Sequence, residues 1–306
     1  MTTTSPRIAV EPVALKPWLV DAVVEAGGEV VDVANAQGIV WCDPYGADLL
    51  EGILRQHHNI SWVQLPFAGI EPFAHLINDG RVWSCGKGVY AEPVAEHVVG
   101  LLLAGFRNLH NYSRATSWTG PVGINLLGAR ITVVGGGGIT ESLVRLLQGF
   151  NCHITVVRNK VVDMPDVDSV VSSERLIDAL PGADAVVLAL SLTPETDGLI
   201  SRDELALMEP HAWLVNVARG RHIVTDDLVE ALRERRIGGA ALDVTDPEPL
   251  PDNHPLWMLD NCIITPHVGN TPGMAIPLLS ERIRENVKRF AEGTDLLGLV
   301  DPQLGY

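Results

Sequence analysis

The sequence predicts an α/β protein of two doubly wound parallel-sheet domains, one inserted into the other, and three observations predict it. Short β-rich runs alternate with helical patterns along nearly the whole chain, the order that a parallel sheet covered by helices produces. The alternation comes in two series, separated by an unusually long helical pattern at Ala91–Ala115. The 306 residues, 46% of them hydrophobic, suffice for two buried cores at ~150 residues per domain.

The first series opens with a strand at Arg7–Val10 and a helix at Pro17–Ala26, which Gly27 and Gly28 close. Strands follow at Val30–Val33, Ile39–Cys42 and Ile60–Leu65, with helices at Ala47–Gln56 and Pro72–Asn78. The long pattern from Ala91 tolerates Pro93 because it falls in the first turn. A helix of that length between two series carries the chain from one domain to the next, and Gly120-Pro121 and Gly123 punctuate the loop after it. The second series starts at Ile131–Val134, continues through Ala185–Ala189, Ala212–Val217 and Gly239–Leu242, and ends at Ile263-Ile264. Leu278–Glu292 reads as a last amphipathic helix.

Charge and composition exclude several classes. Lys and Arg number 22 against 38 Asp and Glu, a net charge of −16 that repels a polyanion, so nucleic acid is not an expected partner. The polar opening Met1–Pro6 does not read as a secretory signal. The longest apolar stretch, Val98–Phe106, falls far short of the ~20 residues that cross a bilayer, so no membrane partner is expected. Cys42, Cys85, Cys152 and Cys262 are scattered without a CxxC pair, which reads as buried free thiols and a cytoplasmic protein. His57-His58 lack the companions of a metal site, and no G-x-S-x-G element is present.

The chemistry begins at Val134–Thr140, a glycine run between a strand and a helix. Read as GxGxxG, it places Gly135 at the tight turn and Gly137 where a pyrophosphate approaches the backbone. The helix that follows offers unpaired N–H groups to that phosphate. Thr140 holds the third glycine position and implies a slightly wider helix–strand approach; a purely structural turn is the alternative reading. The next strand ends at Val156–Lys160. Where an NAD-preferring domain carries Asp or Glu for the ribose hydroxyls, this chain has Arg158. A guanidinium pairs with a 2′-phosphate, Asn159 adds a hydrogen bond and Lys160 a positive charge. NADP is therefore the preferred cofactor and NAD the alternative, a solvated basic strand end being the bland reading.

Three further segments, Val215–Gly220, Ala241–Pro249 and Thr265–Thr271, resemble signatures of the D-isomer specific 2-hydroxyacid dehydrogenases. Leu190–Thr196 and Tyr90–His97 look like the same family, so the resemblance spans nearly the whole chain. It implies a flavodoxin-like substrate-binding domain, 1–98 and 271–306, with an inserted Rossmann NAD(P)-binding domain, 99–270. It makes Arg219, Glu248 and His267 the catalytic set. It further places Asp243 at the nicotinamide carboxamide, Val217 and Ala218 along that ring, and Leu190 beside the dinucleotide. By the same carry-over Gly138 and Ile139 offer amides to the phosphates, and Ala68 and Gly69, in Phe67–Ile70, hold the substrate carboxylate together with Arg219.

The chemistry independently needs these residue types. Reduction of a 2-keto acid requires a hydride donor, a proton donor and an anchor for the carboxylate. Arg219 can grip carboxylate and carbonyl oxygens together. His267 can protonate the forming alkoxide, with Glu248 favouring the charged ring and fixing its orientation.

Trp41 stands where relatives that handle phosphorylated substrates tend to carry Arg, and the chain shows no C-terminal regulatory extension. Both argue against 3-phosphoglycerate; the resemblance leaves glyoxylate, hydroxypyruvate or a related short 2-keto acid as the expected substrate. Phe67 and Trp41 read as pocket walls or as core, and Thr245 replaces a commonly aromatic residue. Relatives are commonly homodimers, and the apolar helix around Leu101–Leu109 suits an interface or a buried helix alike. A dinucleotide-sensing, corepressor-like binding protein without turnover is the rival reading; a hydrolase of the adenosylhomocysteine type lacks its signatures.

Overall fold

The computed structural model describes residues 5–301; most of the polar opening segment and the end of the tail lie outside them. The chain divides into two units, Met1–Tyr90 with Thr271–Tyr306, and Ala91–Asn270. The expected boundary after residue 98 would cut a helix, Ala91–Phe106, that lies whole in the second unit.

Unit 1 begins with β1 (Arg7–Glu11), α1 (Trp18–Glu25), β2 (Glu29–Val30), β3 (Gly38–Trp41), α2 (Ala47–Gln56), β4 (Trp62–Gln64) and β5 (Val82–Ser84). Its five strands are parallel, in the order β2-β1-β3-β4-β5. Side chains alternate across the sheet, as the two-residue period of a strand requires. Ile8, Val10 and Val40 pack with Leu19 and Val23 of α1, whereas Ala9, Ile39 and Trp41 pack with Leu50 and Leu54 of α2. Trp41 is thus core, fully buried.

Unit 2 contains α3 (Ala91–Phe106), α4 (Leu109–Tyr112), β6 (Arg130–Val134), α5 (Gly138–Leu147), β7 (His153–Arg158), β8 (Ser169–Ser172) and α6 (Leu176–Ala179). It continues with β9 (Ala185–Leu188), α7 (Arg202–Leu207), β10 (Trp213–Asn216), α8 (Thr225–Arg233), β11 (Gly239–Leu242) and β12 (Cys262–Ile264). The seven parallel strands run β12-β11-β10-β9-β6-β7-β8. The order reverses between β6 and β9, so the β6 turn opens at the switch point where doubly wound sheets take their ligands. One face of the sheet is covered by α3 and α5, the other by α7 and α8. The chain then returns to unit 1 with α9 (Pro272–Glu292), whose Leu279, Ile283 and Val287 join the Ile8 cluster.

Several elements differ from expectation. The segment at Pro72–Asn78 is a single 3-10 turn, Glu71–Phe73, followed by further turns. Its apolar spacing is helical, with Phe73, Leu76 and Ile77 buried, yet Phe73, Ala74 and Leu76 donate to carbonyls three residues back. The strand expected at Val30–Val33 ends at Val30, and Asp32 opens a 3-10 turn. The long helix stops at Phe106, because Asn108 is left-handed (φ +52°) and only α4 follows. Its Leu101, Leu102 and Phe106 are buried in the unit's own core, so packing within the unit already accounts for these apolar residues. Farther on, Leu109, Trp118, Val122 and Leu127 are exposed. Conversely, α9 begins six residues earlier than expected: Thr271 caps it by accepting from the Met274 amide, and Pro277 is accommodated inside. Among the described residues no helix is long and apolar enough to cross a membrane.

Candidate active site

The turn after β6 is shaped by glycine. Gly135 has φ +113°, and a Cβ there would lie 2.1 Å from the Ala189 carbonyl oxygen, so no side chain fits. The turn therefore sits directly on the start of the Leu190 loop. Gly137 faces open space and is the N-cap of α5 with no side chain to offer, which leaves the first-turn amides of Gly138 and Ile139 to another acceptor. Thr140, fully buried, donates its hydroxyl to the Gly135 carbonyl oxygen at 2.9 Å. The residue in the third glycine position thus ties the helix back to the turn.

Arg158, the last residue of β7, lies against this turn: a Cβ on Gly136 would stand 2.7 Å from its Nε. Asn159 and Lys160 follow, both exposed. First-turn backbone amides beside a guanidinium are donors of the kind a dinucleotide's phosphates accept from, and an arginine at this strand end suits a 2′-phosphate.

The second turn follows β10. Asn216, fully buried, accepts from the Ala218 amide (3.0 Å) and donates to the Arg219 carbonyl (2.8 Å), so one side chain braces the turn from both ends. Arg219 is extended, and its Nη1 donates to the Ala218 carbonyl at 2.8 Å. Val217 and Ala218 are buried, one in each core of the unit. A Cβ on Gly220 would come within 2.0 Å of the Thr245 carbonyl group, so the Arg219 turn is pressed on the backbone that leads to Glu248. Behind it His222 contacts the carbonyls of Thr196 (2.9 Å) and Leu190 (3.3 Å), and burial pushes its pKa down.

The third segment carries His267. Its Nδ1 lies 2.7 Å from Glu248 Oε1, and because a carboxylate only accepts, Nδ1 holds the proton and Nε2 is the ring's outward edge. His267 is left-handed (φ +53°), a costly conformation for a non-glycine residue, and its amide donates to the Asp243 carbonyl at 2.8 Å. Asp243, only 4% exposed, holds the rest of the loop. Its Oδ1 accepts from Thr265 Oγ1 (2.6 Å) and the Val268 amide (2.9 Å), and its Oδ2 from the Gly269 amide (2.9 Å). Burial pushes this carboxyl up, but donors from His97, Thr265, Val268 and Gly269 outweigh it and bring the pKa down to about 2.

In unit 1, Ala68 is exposed in the loop after β4. That loop is held by Tyr90, whose hydroxyl donates to the Pro66 carbonyl (2.9 Å), and by Gly86, where a Cβ would meet Pro66 O at 2.9 Å. Lys16 Nζ stands 5.1 Å over the Phe67 ring.

The structure therefore joins Glu248 to His267, sets the Arg219 turn on the Glu248 segment, and gathers Gly135, Gly136, Arg158 and Leu190. Ala68 and Gly69 lie in the other unit. The braces Asn216, Gly220, Thr265 and His97 were given no role by sequence reasoning. Only Asn216 carried a readable signal, an Asn at a strand end before a turn. Among the described residues no cluster of His, Cys, Asp and Glu is fit to hold a metal ion.

Residues 99–269 match the family described as D-isomer specific 2-hydroxyacid dehydrogenase, NAD binding domain. An uncharacterized Corynebacterium melassecola protein from the proB 3′ region is 37% identical over 298 residues, 93% of this chain and 95% of that one. Glyoxylate reductase of Pyrococcus furiosus is 33% identical over 217 residues, 67% of this chain and 64% of the enzyme. The crystal structure of a D-isomer specific 2-hydroxyacid dehydrogenase from Xanthobacter autotrophicus Py2, in complex with NADPH and MES, superposes with a TM-score of 0.86 at 25% identity. It covers 99% of this chain and 100% of the other.

Proposed function

The chain belongs to the D-isomer specific 2-hydroxyacid dehydrogenase family, and from that premise we propose that it reduces a small 2-keto acid, such as glyoxylate or hydroxypyruvate, with NADPH. Oxidoreductase chemistry with a nicotinamide dinucleotide comes with the family; the choice of NADP over NAD, the acid and the residue roles are our reading. The observation that carries it is the 2.7 Å pairing of His267 with Glu248 beside the braced Arg219 turn.

The bound dihydronicotinamide supplies a hydride. Gly135, Gly137, Gly138 and Ile139 would hold the pyrophosphate, and Arg158, Asn159 and Lys160 the 2′-phosphate. Leu190, Val217, Ala218 and Asp243 would border the rest of the dinucleotide. Arg219 binds the substrate carboxylate and draws electron density toward the carbonyl oxygen. Ala68 and Gly69 are assigned to the same carboxylate on the resemblance alone. As the carbonyl carbon is reduced, the oxygen gains charge and His267 gives it the Nε2 proton; Glu248 balances the imidazolium beforehand. In the oxidative direction neutral His267 takes that proton back. The complete Arg-Glu-His set disfavours the reading as a sensor without turnover. We extend the proposal to a homodimer, supported by exposed Trp118, Val122 and Leu127, and to the cytoplasm, supported by four free buried cysteines.

The test is initial-rate oxidation of NADPH and of NADH with glyoxylate, hydroxypyruvate, pyruvate and a phenylpyruvate-type acid. NADPH with a short acid is expected to be fastest. His267→Ala is expected to lower kcat by about 10²–10⁴-fold with NADPH binding retained. Binding of NADPH with no turnover of any acid would refute the reading.

A further inference from the structure

His97 lies on α3, far in sequence from Asp243, Thr265 and His267, yet its ring stands against the His267 loop. Its Nε2 is 3.0 Å from Thr265 Oγ1 and 3.3 Å from Asp243 Oδ1, and its Cδ2 lies 3.7 Å from where a Cβ on Gly269 would be. The proton bookkeeping of this cluster has one solution. Asp243 is ionised and only accepts, so the Thr265 hydroxyl spends its single proton on Oδ1 at 2.6 Å. The hydroxyl oxygen is then an acceptor toward His97, and Nε2 must carry the proton. The opposite tautomer would set the Nε2 lone pair against those of Thr265 and Asp243.

We propose that His97 is a positioning residue for His267, an Nε2–H donor that orders Thr265 and Asp243 and, through them, the left-handed loop that presents the proton donor. Asp243 is the hub of the relay. Its carboxylate holds the amides of Val268 and Gly269, and its carbonyl accepts the His267 amide. Without the His97 donor, Thr265 can rotate its hydroxyl away and Asp243 loses its orientation. The loop then no longer holds His267 in a conformation that a β-substituted residue disfavours. Arg219, braced independently by Asn216, keeps its grip on the substrate, so the defect falls on turnover rather than on binding. The effect on turnover rests on the reductase reading; the effect on the loop does not.

The experiment compares His97→Leu, which keeps bulk but removes the donor, with His97→Gln, whose amide restores an N–H near the Nε2 position. Two readouts are taken, steady-state kinetics and hydrogen–deuterium exchange over 262–270. For His97→Leu, kcat is expected to fall about tenfold, the worth of one buried hydrogen bond, with KM changed less than about twofold. Exchange of the Val268 and Gly269 amides is expected to speed up by a similar factor, and His97→Gln to recover most of both effects. Unchanged exchange in His97→Leu, or a Gln variant as impaired as the Leu variant, overturns the proposal, the latter because packing alone would then explain the loss. If His97→Leu does not fold, Thr265→Val breaks the same relay at its middle and must show the same faster exchange. Wild-type protein that turns over no 2-keto acid sinks the reductase reading, and the exchange data still decide the role of His97.

Discussion

Asp243 carries more of the candidate site than its single letter in the sequence advertises. Its carboxyl is brought to about 2, below the ordinary 3.8, so the folded state binds its proton more weakly than the unfolded chain does. The resulting stability is complete above about pH 5 and is lost as pH falls through about 2. Asp243→Asn is therefore expected to cost about 2 kcal/mol near neutral pH and roughly half as much at pH 3, read from urea midpoints across that range. A pH-independent deficit would mean that the charge is not what stabilises the loop. Arg219, Glu248 and His267 are legible in the sequence because each sits beside Pro or Gly in a specific motif. His97 and Thr265 are not, because their roles come from hydrogen bonds that join distant segments, whereas Asn216 carries the local signal of an Asn before a turn.

Turns, rather than helices or strands, decide where the functional atoms go. Gly135→Ala asks a side chain to occupy φ +113° with a carbonyl oxygen 2.1 Å away, whereas Gly137→Ala points a methyl group into open space. The first is expected to destabilise the protein by at least about 2 kcal/mol, by thermal or chemical unfolding. The second is expected to stay within about 0.5 kcal/mol of wild type while weakening NADPH binding, since the methyl enters the space assigned to the phosphates. Equal stabilities for the two variants would contradict the geometry of the turn. Elements with a strong apolar period and clear ends, such as α2, were legible to the residue. The Pro72–Asn78 segment was not, because three buried side chains at helical spacing can be satisfied by consecutive tight turns. The edge strands β5 and β8 are three and four residues long and went unread, since so few residues establish no period.

Across the whole molecule, two series of alternating elements were enough to reveal two sheets with one inserted in the other. The acidic excess reads only as a solvated surface. All four cysteines are buried and free. Burial pushes the Cys42 and Cys262 thiols up to about 12 and raises those of Cys85 and Cys152. At pH 8 almost none is thiolate, so a disulfide-exchange reagent is expected to titrate none in the native protein and all four in denaturant. Rapid native labelling would mean that the cores open readily. The insertion also sets a timetable for synthesis. Ile8, Val10 and Val40 leave the ribosome early, but Leu279, Ile283 and Val287, which pack on them, come only after the whole of unit 2. At ~5–20 residues per second that delay is roughly ten to fifty seconds, during which the nascent sheet has a bare greasy face. A chain cut short between residues 270 and 279 therefore carries a complete second unit tethered to an unfinished first one, a ready substrate for chaperones and proteases.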